Sequence, residues 1–261
     1  MYQTLSFTCD AKGIATLTLA RPDKHNAMSG EMLEEIADAA SLLKGRSDVR
    51  VVVLAAEGRS FCAGGDLAWM RAQFEADDET RRRESAKVAG ALLALDHLPQ
   101  PLIGKVQGNA FGGGLGLMAV CDAVVAVETA VFGFTETRLG VIPANIGPFV
   151  VRRMGPGPAR RVLMSARTFD AVEAQSLGLV SRVVARDALE AAVEGEAEPY
   201  LSCAPGAVAE TKALLRDLGY GVDQAQVDLA IEALAHRWRT QEAQDGIAAF
   251  FAKTPPPWKQ T

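Results

Sequence analysis

Two patterns of apolar residues alternate through the first two-thirds of the chain, and they predict different elements. Gly13 to Ala20 (GIATLTLA) is apolar and β-branched, which predicts a strand. Arg21-Pro22-Asp23-Lys24 ends it, because Pro22 has no N–H to give to a ladder. Ser29 is placed to cap a helix with Glu31 in its first turn. Met32, Leu33, Ile36, Ala40 and Leu43 then recur at helical spacing and form one apolar stripe. Val49 to Ala55 lacks regular polar alternation, as do Leu102 to Val106 and Val124 to Val127. Such runs suit strands buried on both faces, as in a parallel sheet with helical crossovers. After Ala171 the pattern is mainly helical: Ala171 to Leu177, Ala188 to Tyr200, Ala207 to Leu218, and one long helix from Val222 to Phe251 that Pro255-Pro256-Pro257 ends. The order predicts an α/β fold, one main domain with a helical C-terminal extension.

Composition narrows the class. The chain has 261 residues, 49% of them hydrophobic, enough to bury a sizeable core. With 27 basic against 32 acidic residues it lacks the basic excess of a duplex nucleic-acid binder. The one basic run, Arg81-Arg82-Arg83, is flanked by Asp77, Asp78, Glu79 and Glu84 and reads as a solvated mixed-charge helix face. Cys9, Cys62, Cys121 and Cys203 are scattered, with no CxxC, so no metal site is expected. His25, His97 and His236 are equally dispersed, and no Ser/His/Asp arrangement is readable. The opening residues, MYQTLSFTCDAKG, show no basic region followed by an apolar run, so no secretory leader is expected. No apolar stretch reaches the ~18 residues of a membrane span. The default expectation is a soluble, cytoplasmic protein.

Two glycine turns carry the candidate chemistry. Phe61-Cys62-Ala63-Gly64-Gly65-Asp66-Leu67 and Gly108-Asn109-Ala110-Phe111-Gly112-Gly113-Gly114-Leu115 each follow a buried strand and precede a helical pattern. Glycine permits positive φ and close backbone approach. A helix N-terminus leaves N–H groups free. Two such turns on neighbouring strands can aim two donors at one oxygen, as a developing enolate or tetrahedral oxyanion requires. Neither turn is GxGxxG or a Walker A loop, so a nucleotide phosphate is a poor fit. Read alone, each turn is better taken as a plain strand-to-helix connection.

With both turns in place, the chain resembles the enoyl-CoA hydratase/isomerase family, the crotonases, over essentially its whole length. FCAGGDL and GNAFGGGLGLMAVCD are similar to the family's two oxyanion turns, and FGFTETRLGVIP to the segment with a catalytic glutamate. AVEAQSLGLVSRVV and DGIAAFFAKTPPPW match its later helical motifs. The resemblance implies a crotonase (ClpP-like) spiral of ββα units over 1–200 and a C-terminal helical trimerisation region over 201–261. It implies a homotrimer or dimer of trimers, and an acyl-CoA thioester as substrate. Coenzyme A is then part of the substrate, and no separate cofactor, nucleic acid or membrane is expected. Carried over by position, the oxyanion donors are the N–H groups of Gly65 and Gly113, and the catalytic acid/base is Glu136. Ala63, Asp66 and Leu67 match the backbone stretch that receives the CoA moiety, Lys24 a second CoA-facing loop, and Phe250 and Lys253 the positions that touch the adenosine end.

The sequence departs from the best-known hydratases at two places, one helical turn after Gly113 and again at Ile142-Pro143-Ala144-Asn145-Ile146-Gly147-Pro148-Phe149-Val150, where their pattern is IPGxGGTxRL. Their GGGxE carries a second glutamate, where this chain has Gly116. The combination FCAGGDLAWM, AFGGGLGL and PxxIxPFVV is nearest to bacterial methylglutaconyl-CoA hydratase-like members of leucine or acyclic-terpene catabolism. Three readings stay open: a single-glutamate enoyl-CoA hydratase, a Δ3-Δ2-enoyl-CoA isomerase, and a non-catalytic acyl-CoA-binding protein. Restoring a carboxylate with Gly116→Glu is expected to favour hydration under the first. Asn145 is a candidate to hold water in place of the missing glutamate, and Arg138 either faces a substrate carboxylate or, on the plainer reading, pairs at the surface. Trp69, Met70 and Phe74 are expected to shape the pocket. An RNA-binding role is disfavoured, because the first helix is acidic at Glu31, Glu34, Glu35 and Asp38.

Overall fold

The uninterrupted apolar runs become the middle strands of a sheet that is covered on both faces. A computed structural model of the chain describes residues 2–259. It begins with β1 (Leu5–Cys9), β2 (Ile14–Leu19), α1 (Gly30–Lys44), β3 (Val51–Ala56), β4 (Ser60–Cys62), α2 (Leu67–Glu75) and α3 (Asp78–Asp96). Next come β5 (Leu102–Val106), β6 (Asn109–Phe111), α4 (Gly113–Ala119), β7 (Ala123–Val127), β8 (Val131–Gly133), α5 (Gly147–Met154) and α6 (Pro156–Leu163). The chain closes with β9 (Thr168–Asp170), α7 (Ala171–Ser176), β10 (Arg182–Val184), α8 (Leu189–Leu201), α9 (Pro205–Leu215), α10 (Gln224–Trp238) and α11 (Gln241–Ala252).

The larger sheet has the order β1-β2-β3-β5-β7-β10, and the smaller one β4-β6-β8-β9. All pairs are parallel except β1 with β2 and β8 with β9. Each of β3, β5 and β7 is followed at once by its successor in the smaller sheet, β4, β6 and β8, and then by helix. The chain therefore climbs both sheets in step. This has one consequence for the site: β4 and β6 lie side by side, with Cys62 opposite Ala110, so the glycine turns that follow them are neighbours.

Ser29 caps α1 as its position predicts, accepting from the Met32 N–H at 3.2 Å. Met32, Leu33, Ile36, Ala40 and Leu43 are all buried. Three expectations change. The stretch from Val222 to Phe251 is two helices, because Thr240 turns to extended backbone and caps α11 through the Ala243 N–H. That break lets α11 fold back and close a small second core of Val141, Leu234, Trp238, Ala243 and Ile247. The predicted Ala207–Leu218 helix ends at Leu215 and passes into a π-turn in which Gly219 takes a φ of 89°. The third concerns Arg81, which is not solvated. Its guanidinium donates to the carbonyls of Gln73 and Phe74 at 2.9 Å each and lies over the Trp238 ring, strapping the end of α2 to α3 and α10.

The loop before α1 is held by one buried side chain. Asn26 sits at a φ of 53°. Its Nδ2 donates to the carbonyls of Glu57 and Ser60, and its Oδ1 accepts from the Arg21 N–H at 2.9 Å. The Ser60 carbonyl has a second donor in Gln107, but Glu57 O and Arg21 N–H depend on this amide. Asn26→Ala is expected to cost about 2–4 kcal/mol, because two backbone groups lose their partners and the αL residue loses its amide. Urea denaturation of the variant beside the wild type measures it.

Candidate active site

The first turn is fixed from the Met28 side. The Met28 N–H donates to Gly64 O at 2.7 Å, and the Asp66 N–H donates to Met28 O at 2.9 Å. This bridge uses the carbonyl before Gly65 and the amide after it, so Gly65's own N–H is not spent on it. Asp66 then starts α2, accepting from the N–H groups of Ala68 and Trp69 at 2.9 and 3.3 Å. Burial alone would raise its pKa, but Arg21 at 2.9 Å and those two backbone donors outweigh it and hold the carboxyl below its ordinary range. Asp66 is thus an ionised cap that fixes the turn's exit.

The second turn is fixed from the β8 side. The Gly112 N–H donates to Gly133 O at 3.0 Å, and Gly112 O accepts from Leu115. Gly113 is the first residue of α4, where an N–H has no intrahelical acceptor. Bare backbone is required here. A Cβ on Gly114 would stand 2.6 Å from Cys62 O, and one on Gly64 3.1 Å from Phe111 O. Gly112, at a φ of 49°, would place a Cβ 2.9 Å from Glu136 Oε1 and 3.9 Å from the Gly64 Cα. Both turns and one carboxyl therefore meet at Gly112.

Glu136 opens a 3-10 turn, Glu136–Leu139, just beyond β8. Phe132 and Phe134 below it are fully buried and stack on Phe169 at 6.0 and 6.2 Å. The turn is pinned from above by Arg237 of α10, whose Nε donates to Gly140 O at 2.6 Å. Glu136 as a residue is partly exposed, but its carboxyl Oε2 is buried and has no hydrogen-bond partner. Desolvation pushes its pKa up to about 7. At that value the group gives and takes protons near neutrality.

Gly65, Gly113 and Glu136 line one cavity of about 130 Å³. Its walls come from Met28, from Trp69 and Met70 of α2, from Val88 of α3, and from Leu234 and Trp238 of α10. Trp69 is held in place through its Nε1, which donates to Glu84 at 2.9 Å.

The comparisons agree with this geometry. The family model described as enoyl-CoA hydratase/isomerase matches residues 10–261. The chain belongs to the enoyl-CoA hydratase/isomerase family. Among solved structures it is similar to an enoyl-CoA hydratase from Shewanella pealeana, at 38% identity and a TM-score of 0.81, with 99% of this chain and 97% of that one covered. It is similar to Pseudomonas aeruginosa AtuE at 39% identity and a TM-score of 0.81, covering 99% and 100%. A mevalonyl-coenzyme A hydratase of Aspergillus fumigatus is 32% identical over 94% of this chain and 91% of that protein. The two stepped sheets are the crotonase fold of these enoyl-CoA hydratases.

Within that frame, the residues singled out by sequence fall into two groups. Gly65, Gly113 and Glu136 are together in the cavity. Lys24, Ala63 and Leu67 are exposed, and the Ala63 N–H bond to His25 O at 3.0 Å places the Lys24 turn beside the first glycine turn. Phe250 and Lys253, near the end of α11, do not line the cavity; Phe250 packs edge-on against Phe251. Cys62 is wholly buried, which pushes its thiol to about 12 and rules out a resting thiolate.

Four expectations are corrected. Arg138 turns away and donates to Ala166 O at 2.6 Å, so it faces no acyl group. Phe74 packs in the second core and does not line the cavity. Gly116 is not an empty place for a carboxylate, because a Cβ there would lie 2.5 Å from Ile146 Cγ2, 3.1 Å from Ile146 Cβ and 3.3 Å from Leu92 Cδ1. The expected benefit of Gly116→Glu fails for the same reason. Sequence reading also missed Gln73 and Ser85, which line the cavity and are each only 6% exposed. The available signal was spacing: Gln73 lies four residues after Trp69, on the same face of α2.

Gly116→Glu is expected to destabilise the fold by about 1–3 kcal/mol through overpacking against Ile146 and to add no hydration activity. Combined with Ile146→Ala it should recover part of that loss. Denaturant melts of the single and double variants check the stability changes, and water addition to a 2-enoyl-CoA by Gly116→Glu checks the activity.

Proposed function

We propose that the protein is an enoyl-CoA hydratase with a single carboxylate. The observation that carries this reading is the Glu136 carboxyl, buried against Gly112 of the second glycine turn, with Oε2 unpartnered and a pKa raised to about 7. The thioester oxygen of the substrate accepts from the N–H groups of Gly65 and Gly113. The attacking water donates hydrogen bonds to two acceptors that lack donors, Glu136 Oε2 and the side-chain amide oxygen of Asn145, both buried and both on residues lining the cavity. Glu136, ionised, takes one proton from this water as its oxygen bonds to C3. The C2–C3 π electrons move toward the thioester, whose oxygen carries the resulting enolate charge. Glu136 then gives the same proton to C2, so the net change is addition of one water. Loss of one amide donor in such a hole typically costs ~2.7–4 kcal/mol of barrier.

The isomerase reading has one observation in its favour: Ile146 fills the place of a second carboxylate, and one carboxylate suffices to move a proton from C2 to C4. Asn145 tips the balance toward hydration, because its unpaired oxygen serves a water molecule and has no part in a 1,3-proton shift.

Glu136→Gln is expected to lower turnover by about 10²–10⁴-fold while leaving thioester binding nearly intact. Because the base must be ionised, kcat/KM should rise with pH through about 7 and then level. The assay measures water addition to a 2-enoyl-CoA and double-bond shift in a 3-enoyl-CoA. Bond shift alone would replace this reading with the isomerase one.

A further inference from the structure

The hydration steps use Glu136, Asn145 and two amides, but one buried polar group in the cavity remains without a task. Gln73 Oε1 is buried and has no hydrogen-bond partner, and the residue as a whole is only 6% exposed. An orphaned amide of this kind costs about 1–3 kcal/mol unless something supplies a donor. Ser85, from α3, lines the same cavity and adds a hydroxyl. Among the described residues no Lys, Arg or His lines it. The guanidinium of Arg81, which reaches the Gln73 backbone, is spent on the Gln73 and Phe74 carbonyls and on the Trp238 face.

We propose that this cavity selects short acyl groups bearing a neutral hydrogen-bonding substituent, a hydroxyl being the simplest, and that Gln73 is the residue that reads it. The inference rests on the proposed use of this cavity as the acyl pocket of a hydratase. Size sets the first limit. A cavity of about 150 Å³ takes a benzene-sized guest, so this one takes about six heavy atoms of an acyl chain. Polarity sets the second. An alkyl terminus leaves Gln73 unsatisfied. A carboxylate can accept from the Gln73 amide N–H or the Ser85 hydroxyl, but it has no proton for the Gln73 oxygen, brings a charge into a space without a counter-cation, and faces the ionised form of Glu136. A hydroxyl can give its proton to the Gln73 oxygen and accept one from Ser85.

The test compares three 2-enoyl-CoA thioesters of equal chain length ending in methyl, hydroxymethyl or carboxylate. The wild type should prefer hydroxymethyl over methyl by about tenfold in kcat/KM, the worth of one well-made neutral hydrogen bond, with carboxylate last. Gln73→Met, of similar length and without the amide, should collapse the hydroxymethyl-to-methyl ratio toward one. Calorimetric binding of the three saturated thioesters should give the same ranking. Wild-type preference for carboxylate or methyl overturns the proposal, as does an unchanged ratio in Gln73→Met. If no thioester takes up water yet the binding ranking holds, the hydratase reading fails and the selectivity stands. The wild-type ranking needs no variant and decides the matter if Gln73→Met does not fold.

Discussion

The Glu136 carboxyl lies so close to Gly112 that a single methyl group on that glycine would touch it at 2.9 Å. Everything around the site follows from keeping that contact. Two turns must consist of bare backbone, because they pass within van der Waals reach of each other at Gly64 and Gly112, and the second also reaches the carboxyl. The carboxyl must also be shut away from water, and its Oε2 is buried in a cavity whose walls include Met28, Val88, Val141 and Ile146. Desolvation then places its pKa at about 7, where one group can serve as base and as acid in turn.

The fold supplies the contact through its connectivity. Because each strand of the larger sheet hands directly to one of the smaller, β4, β6 and β8 stand abreast, and all three feed the site: two glycine turns and then Glu136. The last helices lock the arrangement. Arg237 holds the turn after Glu136 at Gly140, and Leu234 and Trp238 of the same helix close the cavity. With Ile146 and Leu92 packed at Gly116, the space near the turns is committed to one carboxylate.

The long elements were legible in the sequence and the short ones were not. β2, β3, β5 and β7 announce themselves as apolar runs, and α1 as a capped apolar stripe. The smaller sheet is built from strands of three residues, too short to show any period, and only its glycine turns were visible. β1 shows one buried residue in five, so its pattern was equally quiet. Gly65, Gly113 and Glu136 could be chosen because motif resemblance reports tertiary proximity that local patterns do not. Ile146, Gln73 and the inward turn of Arg81 depend on which helix packs against which. Gln73 sits in a stretch rich in charge, where a buried amide looks like any surface polar residue. The break at Thr240 was missed because Val222 to Phe251 keeps a helical composition throughout.

One carboxyl between two unspent amides is the centre of the account, and its environment can be measured without substrate. Carbon-13 labelling of glutamate side chains, with Glu136→Gln to identify the resonance, gives the titration of Glu136 by NMR. A midpoint near pH 7 is the predicted result. A midpoint near the ordinary carboxylate value of about 4.3 would mean that the group is solvated, and would contradict the account.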